Sequence, residues 1–150
     1  MHSRSHYLSS ATAFCDSFAQ TKDLDTILSH FSTTHKISAI EHGERALGQF
    51  LGRSFDGLDG VRSYFEIMAT LVSYEDMKFS EFVVDAEARK VACKGKAKFT
   101  WIETGESWDE TFAYMLDFDD EGKVTDYQVW ADSGAAYLAR KGELGKVRDS

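Results

Sequence analysis

Asp132 closes the phrase Lys123–Asp132, KVTDYQVWAD, directly after Trp130-Ala131. Read as a strand, this phrase points Trp130 and Asp132 to one side, because side chains alternate faces. A carboxyl turned into an aromatic, water-poor hollow has its charged form disfavoured, so its pKa rises. It then exchanges a proton near neutral pH as base or acid. Asp132 is the first candidate proton carrier. The competing reading makes it the N-cap of a final helix, since Asp132-Ser133 precedes Gly134-Ala135-Ala136. Glu110 is a second carboxyl, set among Trp108, Phe112 and Tyr114. If buried there, it needs a hydrogen-bond partner. His42 opens a glycine-rich loop, where a histidine at a cavity mouth carries protons, and His35 lies shortly before it. Tyrosine hydroxyls such as that of Tyr114 polarise a carbonyl or hold an enolate. Phe99, Trp101, Trp108 and Trp130, with Tyr64 and Tyr7 from the helices, complete a set of rings for gripping a substrate. The competing reading of each ring is core packing.

Elements with two different periods must position these groups. Tyr7, Ala11, Phe14 and Phe18 mark one face of a helix over 5–20, with Ser3 or Ser5 as cap. Asp23 caps a short second helix carrying Leu24, Ile27, Leu28 and Phe31. Lys36–Glu41 reads as a short strand, and 42–57 as an irregular loop with a turn of helix around Ala46–Phe50. Asp56 caps a third helix, with Leu58, Val61, Phe65, Met68 and Val72 at helical spacing to about Tyr74. The period then becomes two. Strands over Met77–Asp85, Lys90–Glu103, Ser107–Phe118 and Lys123–Asp132 are joined by short turns, which predicts an antiparallel meander. In the second of these, Val91, Cys93, Ala97, Phe99 and Trp101 share a face, and Lys90, Lys94, Lys96 and Lys98 the other. Residues 134–141 form a short final helix or tail, and 142–150 fray. The prediction is one α+β domain spanning 1–150, with its core at about 5–138. A cone-shaped, curved antiparallel sheet wraps on three N-terminal helices and leaves a hollow at its open end.

Composition narrows the function. The formal net charge of −8 argues against nucleic acid, since phosphate binding needs a basic patch. No apolar run approaches the roughly 20 residues of a membrane span. The N-terminal MHSRSHYLSSATAF lacks a signal-peptide core, so a cytoplasmic protein is expected. Cys15 and Cys93 are isolated, and the histidines lack ligand spacing, so buried free thiols are expected, with no metal site. Gly43, Gly48 and Gly52 lack a phosphate-loop context, and no cofactor is implied.

The order of elements, the phrase FDGLDGVRSYF over 55–65 and the ending Trp130-Ala131-Asp132 resemble the SnoaL-like branch of the nuclear-transport-factor-2-like superfamily. The resemblance implies a cystatin-like α+β roll over about 5–138. It implies cofactor-free acid–base chemistry in the cone, as in polyketide cyclases, ketosteroid isomerase, scytalone dehydratase and isomerases of fungal natural-product pathways. Its end-of-strand acid falls on Asp132. The Arg-x-Asp of the related epoxide hydrolase is missing, which argues against that reaction. The expected activity is an isomerase, cyclase or dehydratase of secondary metabolism acting on a hydrophobic small molecule, with Asp132 moving the proton and His42 or Glu110 as partner. The alternative is a non-catalytic small-molecule binder or interaction module. A homodimer through the outer sheet face suits either.

Overall fold

The computed structural model describes residues 2–150. Helix α1 (Arg4–Ala19) starts at Ser3, whose side chain accepts the His6 N–H, and buries Tyr7, Ala11, Phe14 and Phe18. Helix α2 (Leu24–Leu28) is capped by Asp23, whose Oδ1 accepts the Thr26 N–H at 2.8 Å. Strand β1 (Ser38–His42) follows, then a 3-10 turn over Arg45–Leu47 and the two-residue strand β2 (Phe55–Asp56). Helix α3 (Gly57–Leu71) begins after Asp56, but Asp56 accepts from the Ser54 hydroxyl instead of capping the helix.

Four long strands complete the sheet: β3 (Val72–Asp85), β4 (Lys90–Trp101), β5 (Ser107–Phe118) and β6 (Val124–Trp130). Their order is β2-β1-β6-β5-β4-β3, antiparallel throughout except where β1 runs parallel to β6. This is the expected α+β meander, with two differences at its ends. Strand β3 starts at Val72 rather than Met77, because β-branched Val72 and aromatic Tyr74 flank Ser73 and all three pair directly with β4 where α3 ends. Strand β6 stops at Trp130, since Asp132 has already left the sheet to cap helix α4 (Ser133–Arg140).

Curvature has a local cause. Strand β3 slips register against β4 between Glu75 and Lys78 and again between Ser80 and Val83. Asp76 and Glu81 sit at these slips with φ of 55° and 57°. Such bulges bend a strand and increase its twist. The bent sheet wraps α1 and α3, and its concave face holds the main core, including Phe14, Phe31, Val61, Leu116 and Val124. Cys15 on α1 and Cys93 on β4, 78 positions apart, meet in that core with sulfurs 3.8 Å apart as free thiols. The lysines of β4 face outward, where Lys94 pairs with Glu81 and Lys90 with Asp117.

A second apolar cluster closes one end of the cone. Phe50, Leu51, Trp101, Trp108, Ala139 and Leu144 form it. Its last member belongs to helix α5 (Leu144–Arg148), so the tail expected to fray is folded. The Glu106 carboxylate fastens α5 by accepting the N–H groups of Leu144 and Gly145 at 3.0 and 2.9 Å. Among the described residues, no helix is long and apolar enough to cross a membrane.

Candidate active site

Between the concave sheet face and α3 lies a cavity of about 320 Å³. Its walls carry many rings, among them Phe18, Tyr64, Phe65, Phe99, Trp108, Phe112, Tyr114 and Tyr127. Exposed Lys22, Glu66 and Asp132 lie at its rim, while Glu41, Tyr64, Tyr114 and Tyr127 are buried within it. Two carboxyls therefore meet the cavity from buried positions, Glu41 at 6% exposure and Glu110 at 8%.

Glu41 reaches the interior because β1 alternates. Ala39 and Glu41 face the core, and Ser38, Ile40 and His42 face out. The Tyr64 hydroxyl, brought by α3, donates to Glu41 Oε1 at 2.6 Å. Burial pushes the Glu41 carboxyl up to about 7, the Tyr64 hydrogen bond opposes this, and nearby Glu110 adds to it. Burial likewise holds the Tyr64, Tyr114 and Tyr127 hydroxyls protonated. Their rings form a row, with centroids 6.0 Å apart for Tyr64–Tyr127 and 5.0 Å for Tyr114–Tyr127.

Glu110 is placed by the same alternation on β5, two residues from Trp108. The Trp108 indole N–H donates to Glu110 Oε1 at 2.9 Å. This is the partner a buried acid requires. Burial raises the Glu110 carboxyl, against the hydrogen bonds from Trp108 and the Asp132 backbone, while the Asp132 charge raises it further.

Asp132 lines the rim, yet its Oδ1 accepts the Ala135 N–H at 2.9 Å and its side chain is exposed. It is the helix cap of the competing reading. The water-poor setting expected for it surrounds Glu41 instead. His42 and Trp130 lie on the outer sheet face, with rings stacked at 4.4 Å and His42 Nε2–H donating to Gln128 Oε1 at 2.8 Å. Neither touches the cavity, because strand parity turns both away from it. The residue of β1 that meets the cavity is Glu41, the chain neighbour of His42. Trp101 packs in the second apolar cluster, and Tyr7 packs against Phe118 outside the cavity lining. His35 is 61% exposed beside Asp119. Phe99, Trp108, Tyr64, Tyr114 and Glu110 do meet at the cavity.

Tyr64→Phe removes the donor to a buried carboxyl. It is expected to cost about 1–3 kcal/mol of stability and to push Glu41 further up. Urea unfolding and carboxyl NMR titration of the variant read both effects. An unmoved Glu41 would show that the Tyr64 bond does not govern it.

No protein-family model and no curated protein matches the sequence. Solved structures do match it in shape. A nuclear-transport-factor-2-like protein of Burkholderia pseudomallei superposes with a TM-score of 0.74 at 15% identity, covering 89% of this chain and 96% of that one. The chain has the nuclear-transport-factor-2-like fold. The BvnE pinacolase of Penicillium brevicompactum gives a TM-score of 0.68 at 18% identity, over 98% of this chain and 99% of its own. TerC, co-crystallised with polyporic acid, gives 0.73 at 18% identity, over 90% and 98%. At these identities the likeness shows the fold alone.

Proposed function

We propose that this chain is a cofactor-independent acid–base enzyme of the SnoaL-like kind, an isomerase, cyclase or dehydratase acting on a hydrophobic small molecule. The observation that carries this reading is Glu41: a buried carboxyl on an aromatic cavity, fixed by Tyr64 at 2.6 Å and raised to about 7. A group poised near the working pH is present both as base and as acid. Glu110 offers a second carboxyl on the same cavity, so a proton taken by one is matched by a proton given by the other. Tyr64 holds Glu41 in place, Trp108 holds Glu110, and the rings bind the substrate and keep water out. The likeness in shape to a pinacolase supports an enzyme reading. The exposed, capping Asp132 favours a second reading, a non-catalytic binder of hydrophobic small molecules.

Proton exchange at carbon separates the two. Hydrophobic ketones are incubated with the protein in deuterium oxide, and incorporation is followed by mass spectrometry. Glu41→Gln and Glu110→Gln are each expected to slow exchange by about 10²-fold or more, the usual contribution of a general acid or base. Asp132→Asn keeps a capping oxygen and is expected to retain most of the rate. Exchange no faster than in protein-free controls across the panel would favour the binder.

A further inference from the structure

The charges around the cavity are lopsided. Glu41 and Glu110 are buried in it, and Asp132 and Glu66 stand at its rim. Among the described residues that line it, Lys22 is the one cation, and it is exposed. No arginine or histidine joins it. The walls are rich in rings, among them Tyr64, Phe65, Phe99, Trp108, Tyr114 and Tyr127, and the face of a ring carries the negative side of its quadrupole. A cation over such rings is attracted, and the attraction grows as water is excluded. An anion meets the opposite field with no donor of full charge inside to compensate it. The whole chain, at −8, steers cations in the same direction from a distance.

Resting on the reading of this cavity as a small-molecule site, we infer that it selects its ligand by charge: the preferred class is a hydrophobic aromatic amine in its protonated form, ahead of the neutral molecule of the same shape, with the carboxylate excluded. The ammonium replaces its water with Glu110 or Glu41 and the ring faces, while the hydrocarbon part fills the apolar volume. The rim acids Asp132 and Glu66 guide it in. Lys22 sits where it opposes entry of a cation, so its removal strengthens the preference.

Three probes of one shape test this: naphthylmethylamine, naphthylmethanol and naphthoate, titrated into the full chain at pH 8 by calorimetry. The amine is expected to bind at least about tenfold tighter than the alcohol, as desolvated cation–ring and carboxylate contacts allow, and naphthoate to bind weakest. In Glu110→Gln the lead of the amine over the alcohol is expected to shrink; in Lys22→Gln, away from the buried carboxyls, it is expected to grow. Equal binding of amine and alcohol, or binding of naphthoate as tight as that of the amine, overturns the charge preference. Tight binding of the alcohol in that case leaves the acid–base reading standing. Binding of none of the three overturns both. A circular dichroism spectrum of each variant matching the wild type excludes misfolding as the cause of a lost preference.

Discussion

Glu41→Gln is expected to make the protein more stable at pH 8 by about 3 kcal/mol, and to change little near pH 4. The wild-type carboxyl titrates at about 7 in the folded chain, against 4.5 when solvated. A raised acid binds its proton more tightly when folded. Its stabilising contribution is therefore complete below about 4.5 and is lost as pH rises through about 7. A tenfold difference in proton affinity between the folded and unfolded chain corresponds to about 1.4 kcal/mol, which sets the size of the loss. Glutamine keeps the shape and an oxygen for the Tyr64 hydroxyl without the charge, so it has nothing to lose. Glu110 is raised too, and Asp23, Asp119 and Glu81 are lowered. Those groups act on both proteins, so comparing the variant with the wild type isolates Glu41 and its repulsion of Glu110. Urea unfolding between pH 4 and pH 8 measures the two slopes. Parallel slopes would place the Glu41 proton elsewhere and remove the acid–base role argued for it. The expected outcome is a stability cost carried by the wild type at a buried cavity carboxyl, the kind of departure from optimal folding that functional sites carry.

How much of this is visible in the chain depends on the strand. On β5 the alternation is unbroken, so Trp108, Glu110, Phe112 and Tyr114 are legible as one face, and the structure puts all four on the cavity. On β1 the same rule applies: Ile37, Ala39 and Glu41 are in phase, which puts Glu41 inside and His42 outside. Weighing residue type ahead of parity picks His42, whose side chain turns out, over Glu41, whose side chain turns in. Asp132 as a helix cap is legible from the Asp132-Ser133-Gly134 phrase, whereas the setting of Trp130 is not. The parallel pairing of β1 with β6, which sets Trp130 beside His42 on the outer face, is a contact across the chain that no local pattern carries. On β3 the alternation is broken twice by bulges at Asp76 and Glu81, non-glycine residues that give no warning of a positive φ. The frame is legible because the long segments hold a clean period. The site is legible only in part, since it depends on which face each strand turns inward.

Gly95 offers the second large effect, through the cavity wall itself. It lies in the middle of β4 opposite Phe112 of β5. A Cβ on Gly95 would stand 2.3 Å from two atoms of the Phe112 ring. The ring thus lies across the bare backbone, a close approach that explains a glycine inside a strand. Phe112 is also boxed in by Phe79, Phe99 and Tyr114, at centroid distances of 5.8, 6.0 and 5.3 Å. Gly95→Ala forces that ring to move, and the free space beside it is the cavity it lines. Overpacking of this kind costs about 1–3 kcal/mol, and the displaced ring also takes up ligand volume. The variant is expected to unfold at lower urea and to bind naphthylmethanol markedly less. Adding Phe112→Leu relieves the clash, so the double variant is expected to recover stability and binding beyond the sum of the single changes, as contacting residues do. Strict additivity would show that Gly95 matters for its backbone alone. Coupling would show that a single missing methyl on β4 keeps the cavity open, and that the acids lining it are reachable because of it.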